Sequence, residues 1–417
     1  MRVLIINTSE RVGGAAIAAN RLMEALKKNG TNAQMLVRDR QTDQVSVTAI
    51  KSSLLLPLKF IWERLIVFLN NGCKKANLWT VDIANAGTDV TSLPEFQQAD
   101  VIHLHWVNQA YLSLKDLRAI LESKKTVVVT MHDMWYFTGV CHYSGDCTKY
   151  QHECADCPLM DGKHWGIDMA KRVWKKKQNM YARANITFVG CSQWMANMAS
   201  HSALTKGQKV KVVHIPNAIN TERFCPKDKE EARLALRLPQ DQQLILFGAQ
   251  RITDERKGFD LLVKACTYLK QNQAQLAKNL AIVVVGGDSE KVKDALPFNV
   301  YPVKYVSSEE GMVDLYNAVD AYVTPSLQDN LPNTIVEALA CGVPCVGFQV
   351  GGIPEMIDHQ QNGYVADYRN AEDFANGIAW TLDPERHEEL SKNAREKALK
   401  TYSEKEVARR YMEVYKK

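Results

Sequence analysis

The sequence predicts an α/β protein made of two parallel-sheet domains, and two observations indicate this class. Short apolar runs rich in β-branched residues alternate with helical segments along the whole chain, a rhythm typical of parallel sheets covered by helices. The chain also has 417 residues, more than a single core of this kind usually contains. We therefore expect a first domain over 1–220 and a second over 221–395, followed by a charged helical segment at 396–417.

Composition is that of a soluble globular protein, with 46% hydrophobic and 24% charged residues. Only a four-residue apolar run, Val3 to Ile6, follows Met1 and Arg2, which is too short for the core of a signal peptide. No uninterrupted apolar stretch reaches 18 residues. We therefore expect a cytoplasmic protein whose ten cysteines are reduced thiols or metal ligands.

Charge is unevenly distributed between the two halves. Residues 1–200 contain 24 Lys and Arg against 17 Asp and Glu, a net of +7, whereas the remainder contains 28 against 30, a net of −2. A basic first half suits a domain that meets an anionic surface or substrate. The excess is too diffuse for a dedicated nucleic-acid binder, and no nucleic-acid motif accompanies it, so we expect no nucleic-acid partner.

In the first domain the predicted strands end in residues suited to ligand binding. Val3 to Asn7 reads as a strand, and Gly13-Gly14 opens the helix after it, where main-chain N–H groups can approach a phosphate or a sugar. A tight turn is the alternative for this glycine pair. Two buried strands follow at 101–106 and 126–130, and polar side chains lie where they end: His103, His105, His132 and Asp133. Ligand sites of doubly wound sheets lie at that edge, although a lone histidine is more often structural.

A cysteine array follows within a predicted insertion at about 141–165. Cys141, Cys147, Cys154 and Cys157 are spaced C-x5-C-x6-C-x2-C, and three histidines lie nearby: His142, His152 and His164. Four thiols this close together in a cytosolic protein suggest a structural zinc site. The spacing is irregular, so a cluster of thiols without metal remains the alternative.

Two segments of the first domain suggest contact with a membrane. Residues 54–69 are apolar apart from a narrow polar stripe of Lys59 and Glu63, continued by Asn70, as in a helix that lies in a membrane interface. A helix buried against the sheet would look much the same. The basic segment at 171–183, which carries Trp174 and Tyr181, faces either lipid phosphates or solvent.

The second domain repeats the alternation and contains the most informative stretch of the chain. A strand at 244–248 precedes Arg251 and the pair Lys257-Gly258. Further on, a strand at 321–323 leads through a loop containing Asp329 into a helix at 333–341 that carries Glu337. Pro332 precedes that helix and Gly342 follows it, which fixes its bounds. Its N-terminus is therefore expected at the ligand-binding edge of the sheet.

These motifs resemble those of the retaining family-4 glycosyltransferases, which have the GT-B fold. Pro325-Ser326 followed by an acid, seven residues and Glu337-Ala338 is similar to the family's Glu-x7-Glu signature, with Asp329 in place of the first Glu. The resemblance extends, sparsely in 1–220 and densely in 248–365, over essentially the whole chain. Further matching segments are Gly13-Gly14, Thr130 to Asp133, Pro216 to Asn220, Lys257-Gly258 and Val350 to Glu355.

The resemblance implies two Rossmann-like domains facing each other across a cleft, with the terminal helix at 396–417 returning to the first. It implies that Glu337 holds the ribose of a nucleotide-sugar donor and that Asp329 meets the donor sugar. Arg251 and Lys257 would neutralise the diphosphate, and His132 would contact the sugar near the reacting carbon. The other implied donor-binding residues are Gly13, Gly14, Asn330, Leu331 and Gly352. Asn330-Leu331 stands where the family usually has Gly-Phe, so the donor identity stays open.

The implied activity is transfer of a sugar from a nucleotide diphosphate to an acceptor hydroxyl with retention, without a cofactor for the chemistry. We expect a saccharide acceptor, lipid-linked, in the synthesis of a cell-surface polysaccharide such as a capsule, an O-antigen or an exopolysaccharide. The protein would then be peripheral at the inner face of the membrane. Two alternatives remain: a non-catalytic partner that binds nucleotide-sugar or polysaccharide, and a GT-B epimerase or phosphorylase. An oxidoreductase is disfavoured because Gly13-Gly14 is not part of a G-x-G-x-x-G motif.

Overall fold

The computed structural model describes residues 1–51, 55–160, 166–207, 209–306 and 308–416. These residues form two compact units, the first made of residues 1–217 with 407–416 and the second of Ala218–Glu406. Each unit is built around one parallel sheet covered by helices, which confirms the predicted fold class of two Rossmann-like α/β domains.

The first unit contains a seven-stranded sheet in its described residues, with the order β3-β2-β1-β4-β5-β6-β7 and every pair parallel. Its strands are β1 (Arg2–Ser9), β2 (Asn32–Asp39), β3 (Val47–Ala49), β4 (Val101–Leu104), β5 (Thr126–Met131), β6 (Ile186–Gly190) and β7 (Val210–His214). The helices before Asn217 are α1 (Gly14–Lys28), α2 (Leu55–Asn70), α3 (Pro94–Gln98), α4 (Leu114–Glu122), α5 (Met169–Tyr181) and α6 (Gln193–His201).

The second unit contains a six-stranded parallel sheet in its described residues, with the order β10-β9-β8-β11-β12-β13. Its strands are β8 (Gln243–Arg251), β9 (Leu280–Gly287), β10 (Asn299–Val303), β11 (Ala321–Thr324), β12 (Cys345–Phe348) and β13 (Gly363–Ala366). The helices from here to the end of the chain are α7 (Lys229–Leu236), α8 (Phe259–Asn272), α9 (Ala274–Ala277), α10 (Ser289–Val292), α11 (Glu309–Ala318), α12 (Asn333–Ala340), α13 (Ile353–Met356), α14 (Ala371–Thr381), α15 (Pro384–Thr401) and α16 (Glu404–Tyr415).

Helix α16 packs its C-terminal part against the first sheet. The Tyr415 hydroxyl lies 2.7 Å from Nδ1 of His103 on β4, and the Tyr411 hydroxyl lies 2.8 Å from Oγ1 of Thr130 on β5. Both tyrosines are buried. A buried histidine nitrogen that lost such a partner would cost about 1–3 kcal/mol, so these bonds specify where the end of the chain lies.

Strand order reverses between β1 and β4 in the first sheet and between β8 and β11 in the second. Open α/β sheets bind ligands beyond the carboxyl ends of their strands at such a reversal. The loops after β1, β4 and β5 in one unit, and after β8, β11 and β12 in the other, are therefore the places to look for function.

The basic segment at 171–183 differs from its sequence interpretation. Trp174 is only 1% exposed, and Lys177 and Tyr181 are buried as well. The Lys177 ammonium donates to the main-chain oxygens of Trp135 and Thr138, 3.1 Å away in the second case. The aromatic residues of this segment therefore belong to the core and are not available to lipid.

Helix α2 covers most of the apolar segment at 54–69; Leu54 itself lies outside the described residues. None of the helices in the described ranges is both long and apolar enough to cross a membrane.

Candidate functional sites in the two units

The site of the second unit centres on an ion pair between Lys257 and Asp329. The Lys257 Nζ lies 2.6 Å from Oδ2 of Asp329, and the Arg256 guanidinium lies 3.5 Å from the same oxygen. Burial alone would raise the pKa of Asp329, but the two cations and the hydrogen bond from Lys257 lower it below the usual value. Asp329 is therefore a fixed negative charge at the carboxyl edge of the parallel sheet.

The loops that carry the pair are packed directly on one another. Lys257 ends a 3-10 turn after β8, and the next residue, Gly258, has a φ of +72°. A Cβ on Gly258 would lie 1.9 Å from the main-chain oxygen of Pro325, so only glycine allows this approach. The Leu327 N–H also donates to the Arg256 oxygen over 2.8 Å. These contacts explain the need for glycine after Lys257.

A second glycine turn supports Asp329 from the other side. Gly351, in the loop after β12, has a φ of +59°, and a Cβ there would lie 1.8 Å from the Asp329 main-chain oxygen. The N–H of Gly352 donates to that same oxygen over 3.2 Å. The Gly351-Gly352 segment thus fixes the backbone of Asp329. Gly352 lies beside Asp329, as expected if both residues belong to one site.

Glu337 lies on α12 and is held by a residue that sequence reasoning missed. The Tyr316 hydroxyl, on α11, donates to Glu337 Oε2 over 2.8 Å, and both side chains are buried. Nothing in the local pattern of α11 marks Tyr316, because its partner is 21 residues away. The bond orients the Glu337 carboxylate.

The remaining predicted residues of this unit occupy the same edge. Asn330 and Leu331 follow Asp329 and are buried, and the Asn330 N–H lies 3.1 Å from Asp329 Oδ1. Arg251 is the exposed last residue of β8, after a bulge in its pairing with β9. Together with Lys291, whose effect is larger, Arg251 lowers the pKa of Asp288. Arg251 thus ends β8, the strand that leads into the turn carrying Lys257.

In the first unit, Gly13 and Gly14 lie where the sequence places them, at the start of α1. Gly13 is the N-cap of this helix and has a φ of +93°. That conformation favours glycine, which has no Cβ to clash.

His132 lies after β5 and is joined to two neighbours. Its Nε2 is 2.9 Å from Nδ1 of His105, and its Nδ1 is 3.5 Å from Sγ of Cys191. The Tyr136 hydroxyl donates to the His105 main-chain oxygen over 2.7 Å. Burial lowers the pKa of His132 to about 4, so the ring is neutral at pH 7.

The tautomer of His132 follows from its partner. Only one of the two facing nitrogens can carry the shared proton, and Nε2 of His105 is buried with no hydrogen-bond partner among the described residues. A buried N–H without an acceptor is rarer and costlier than an unused lone pair. The proton therefore belongs on Nδ1 of His105, and His132 accepts at Nε2 and carries its own proton on Nδ1.

Asp133 forms a second polar cluster behind His132. Its carboxylate accepts from Nε1 of Trp106 over 2.9 Å, from Nδ1 of His142 over 2.7 Å and from the main-chain N–H of Trp135 over 2.9 Å. Burial opposes ionisation, but these bonds and His142 hold the pKa of Asp133 below its usual value. Asp133 is thus a structural carboxylate that holds the loop after β5.

The four cysteines of the predicted zinc site line one small cavity of about 20 Å³. All four are free thiols, and burial raises the pKa of Cys141 to about 12 and of Cys154 to about 11. Within the described ranges no group of three or more His, Cys, Asp or Glu is arranged to hold a metal ion. His164 and the end of the insertion, at 161–165, lie outside those ranges. The geometry gives the zinc hypothesis no support, and it stays a prediction for metal analysis.

Comparison with known proteins shows which sequences the second unit is similar to. Residues 228–397, all in the second unit, match the family described as "Glycosyl transferases group 1". D-inositol 3-phosphate glycosyltransferase of Saccharomonospora viridis is 30% identical over 192 residues, covering 43% of this chain and 44% of the relative. The chain thus spans less than half the length of this curated relative.

Solved structures show that the likeness in fold extends over both units. Sucrose-phosphate synthase from Thermosynechococcus elongatus has a TM-score of 0.66 at 20% identity, covering 100% of this chain and 98% of that one. HepE of Anabaena, solved in complex with UDP-glucose, has a TM-score of 0.64 at 15% identity, covering 99% and 98%. The chain therefore has the GT-B fold that its motifs predicted.

The tautomer of His132 can be tested directly by nitrogen NMR of histidine-labelled protein. We expect His132 to carry its proton on Nδ1, because His105 donates to Nε2. In His105→Phe that donor is lost, and His132 should move to the Nε2-protonated form, while His201→Gln, an exposed control, should leave it unchanged. A His132 ring protonated on Nε2 in the wild-type protein would contradict the assignment.

The buried histidines also predict how stability depends on pH. Burial lowers the pKa of His103 to about 3, whereas an unfolded histidine titrates near about 6.5. Below about pH 6.5 the unfolded chain therefore binds a proton that the folded chain does not, and the free energy of unfolding falls by up to about 1.4 kcal/mol per pH unit for each such ring. Urea unfolding at pH 7 and pH 5.5 should show a smaller loss in His103→Gln than in the wild type, with His201→Gln as control. Equal losses in all three proteins would refute this origin.

Proposed function

We propose that the protein transfers a sugar from a nucleotide diphosphate sugar to an acceptor hydroxyl, with retention of the anomeric configuration. The observation that carries this proposal is the Lys257–Asp329 pair at the strand reversal of a unit that matches the group 1 glycosyltransferases. Cations are needed there because the leaving diphosphate gains negative charge as the glycosidic bond breaks. Carboxylates are needed to hold the sugar and ribose hydroxyls.

The roles follow the positions of the side chains. Lys257, with Arg251 at the end of the preceding strand β8, stabilises the diphosphate, and Asp329 contacts the donor sugar. Glu337, oriented by Tyr316, holds the ribose hydroxyls. Asn330, Leu331 and Gly352 complete the donor site beside Asp329. Because the cations come from the protein, we propose that the chemistry needs no divalent metal and that an oxygen of the leaving diphosphate takes the acceptor proton.

The ion pair gives this proposal a specific energetic consequence. The Lys257 ammonium is hydrogen-bonded to Asp329, so a donor phosphate must compete with that carboxylate for it. A sugar hydroxyl that donates to Asp329 offsets the loss, because the carboxylate then keeps a partner. A complete nucleotide-sugar therefore gains from both groups, whereas a nucleoside diphosphate alone gains only from the cation.

In the first unit, His132 and the Gly13-Gly14 turn would serve the transferred sugar and the acceptor. Both ring nitrogens of His132 face protein partners, so its role would be that of a neutral polar ring that adds no positive charge next to an electron-deficient sugar. Neutrality at pH 7 follows from its lowered pKa.

We further propose a lipid-linked saccharide acceptor in the synthesis of a cell-surface polysaccharide, such as a capsule, O-antigen or exopolysaccharide. The protein would act in the cytoplasm, peripherally at the inner face of the membrane. The support is an exposed apolar surface on the first unit, described below. A non-catalytic partner that binds nucleotide-sugar is the second candidate, and turnover separates it from an enzyme.

Donor binding and turnover test the proposal. UDP-glucose is the first probe, followed by GDP-, ADP- and dTDP-sugars, and a true donor should raise the Tm because it binds only the folded protein. We expect Lys257→Ala to reduce the donor-induced shift and to slow release of the nucleoside diphosphate by about 10²-fold, the scale for losing a charge that stabilises a transition state. EDTA should change neither quantity.

Lys264→Ala, an exposed lysine of α8, is the matched control and should behave like the wild type. If Lys257→Ala released the nucleoside diphosphate at the wild-type rate, the assignment of the site would be wrong. A donor-induced shift without any release or transfer would instead favour the non-catalytic partner.

A further inference from the structure

Helix α2 has its apolar and charged faces reversed relative to an ordinary surface helix. Its exposed large apolar side chains are 42–59% accessible to solvent. They recur at intervals of three or four residues and so form one stripe: Leu55, Leu58, Ile61, Trp62 and Leu65. In contrast, the charged residues Glu63 and Arg64 are buried on the opposite face. The sequence predicted a narrow polar stripe containing Glu63 and left open which face of the helix is buried; in the structure Glu63 is on the buried side.

Specific contacts hold the helix in this orientation. Arg64 pairs with Glu63 and lies 3.2 Å from Oδ2 of Asp82. Its guanidinium also donates to the main-chain oxygens of Leu78 and Val81, over 2.7 Å and 3.1 Å. Breaking a buried charge pair by exposing or removing one partner costs several kcal/mol. The helix therefore cannot roll to bury its apolar stripe without losing this cluster.

Trp79 packs on the other flank of α2, beside Phe60 and Arg64. It is 62% exposed, and its ring stacks on Phe60 of α2 with centroids 6.0 Å apart. The Arg64 guanidinium lies 5.8 Å from the centroid of the Trp79 ring, which fixes the indole beside the helix. Trp62 is therefore the exposed tryptophan of the apolar stripe itself. Tryptophan is the residue that favours the boundary between lipid and water.

The exposed charges of the chain segment that contains this helix have one sign. Between Gln44 and Val81 the only acidic residue is Glu63, which is buried. Lys51, Lys74 and Lys75 are exposed before and after the helix. Lys59 donates to the Gly87 oxygen over 2.6 Å and so is used within the fold. An apolar stripe whose own chain segment carries exposed lysines and no exposed carboxylate complements an anionic lipid surface.

We propose that the exposed face of α2 forms a docking surface for an anionic lipid bilayer, with the stripe lying in the interface and the lysines against the headgroups. Apolar burial and cationic attraction are both present, and together they give reversible binding. This proposal deepens the lipid-linked acceptor of the proposed function, because it names the surface that would bring the first unit to that acceptor. Its test does not depend on transfer activity.

The test is co-sedimentation of the full chain with vesicles of phosphatidylcholine, alone or mixed with phosphatidylglycerol. The protein should sediment with the mixed vesicles, less with phosphatidylcholine alone, and less as salt is raised. Leu58→Gln with Trp62→Gln should weaken vesicle binding by at least about 10-fold, because each change removes an apolar side chain that would be buried in the bilayer interface when the protein binds. Glutamine keeps the helix propensity of the segment, and unfolding curves verify that the fold is unchanged.

The matched control is Leu234→Gln with Leu399→Gln, two exposed leucines on helices of the second unit, which should bind vesicles like the wild type. Lys51→Gln with Lys75→Gln should reduce binding only to the phosphatidylglycerol mixture. The Leu58/Trp62 variant should keep the wild-type thermal shift with the donor, so failure here is separate from failure of the proposed function.

Three outcomes would overturn the proposal. The first is a protein that stays in the supernatant at every lipid composition and low salt. The second is vesicle binding that the Leu58/Trp62 variant retains in full. The third is a wild-type dimer that the same variant converts to a monomer, since the surface would then be an interface between two copies of this chain.

Discussion

The second unit depends on one interaction, the ion pair between Lys257 and Asp329. Its two residues come from loops after neighbouring strands, β8 and β11, and no local preference would hold both loops in place. The approach of Gly258 to Pro325 and of Gly351 to the Asp329 backbone brings three loops into contact around a single carboxylate. The Lys257 ammonium keeps Asp329 ionised, although burial alone would favour its protonated form. The pair thus places a cation and an anion at the edge of the sheet where this fold binds ligands.

Much of this arrangement could be predicted from the sequence because it is local. The alternation of strands and helices fixed the class, and Pro332 and Gly342 bracketed α12 closely. Lys257, Asp329 and Glu337 stood out because the segments that carry them resemble motifs of the family-4 glycosyltransferases. Their mutual pairing could not be predicted, since 72 residues separate Lys257 from Asp329. Tyr316 and His105 were missed as partners for the same reason.

Helix α2 shows a different limit of sequence reasoning. Periodicity identified an amphipathic helix, but it could not say which face is inward. The usual rule places apolar residues inside, and here Arg64, Glu63 and Asp82 reverse it through contacts made over 18 residues. A local rule broken with such specific support points to function, because an exposed apolar stripe is otherwise a liability. Helix α5 shows the reverse case. Its tryptophan, Trp174, was expected to face lipid or solvent but is buried in the core.

When the donor binds, its phosphate is expected to replace Asp329 as the partner of the Lys257 ammonium. A hydroxyl of the donor sugar then becomes the partner of the Asp329 carboxylate. Calorimetric titration of the wild type and Asp329→Asn, with the nucleotide-sugar that gives the largest thermal shift and with its nucleoside diphosphate, tests this most directly. Removing the competing charge should strengthen binding of the nucleoside diphosphate by roughly tenfold, about 1.4 kcal/mol, and should abolish the extra affinity of the complete nucleotide-sugar. A nucleoside diphosphate that binds Asp329→Asn no more tightly than the wild type would contradict the account.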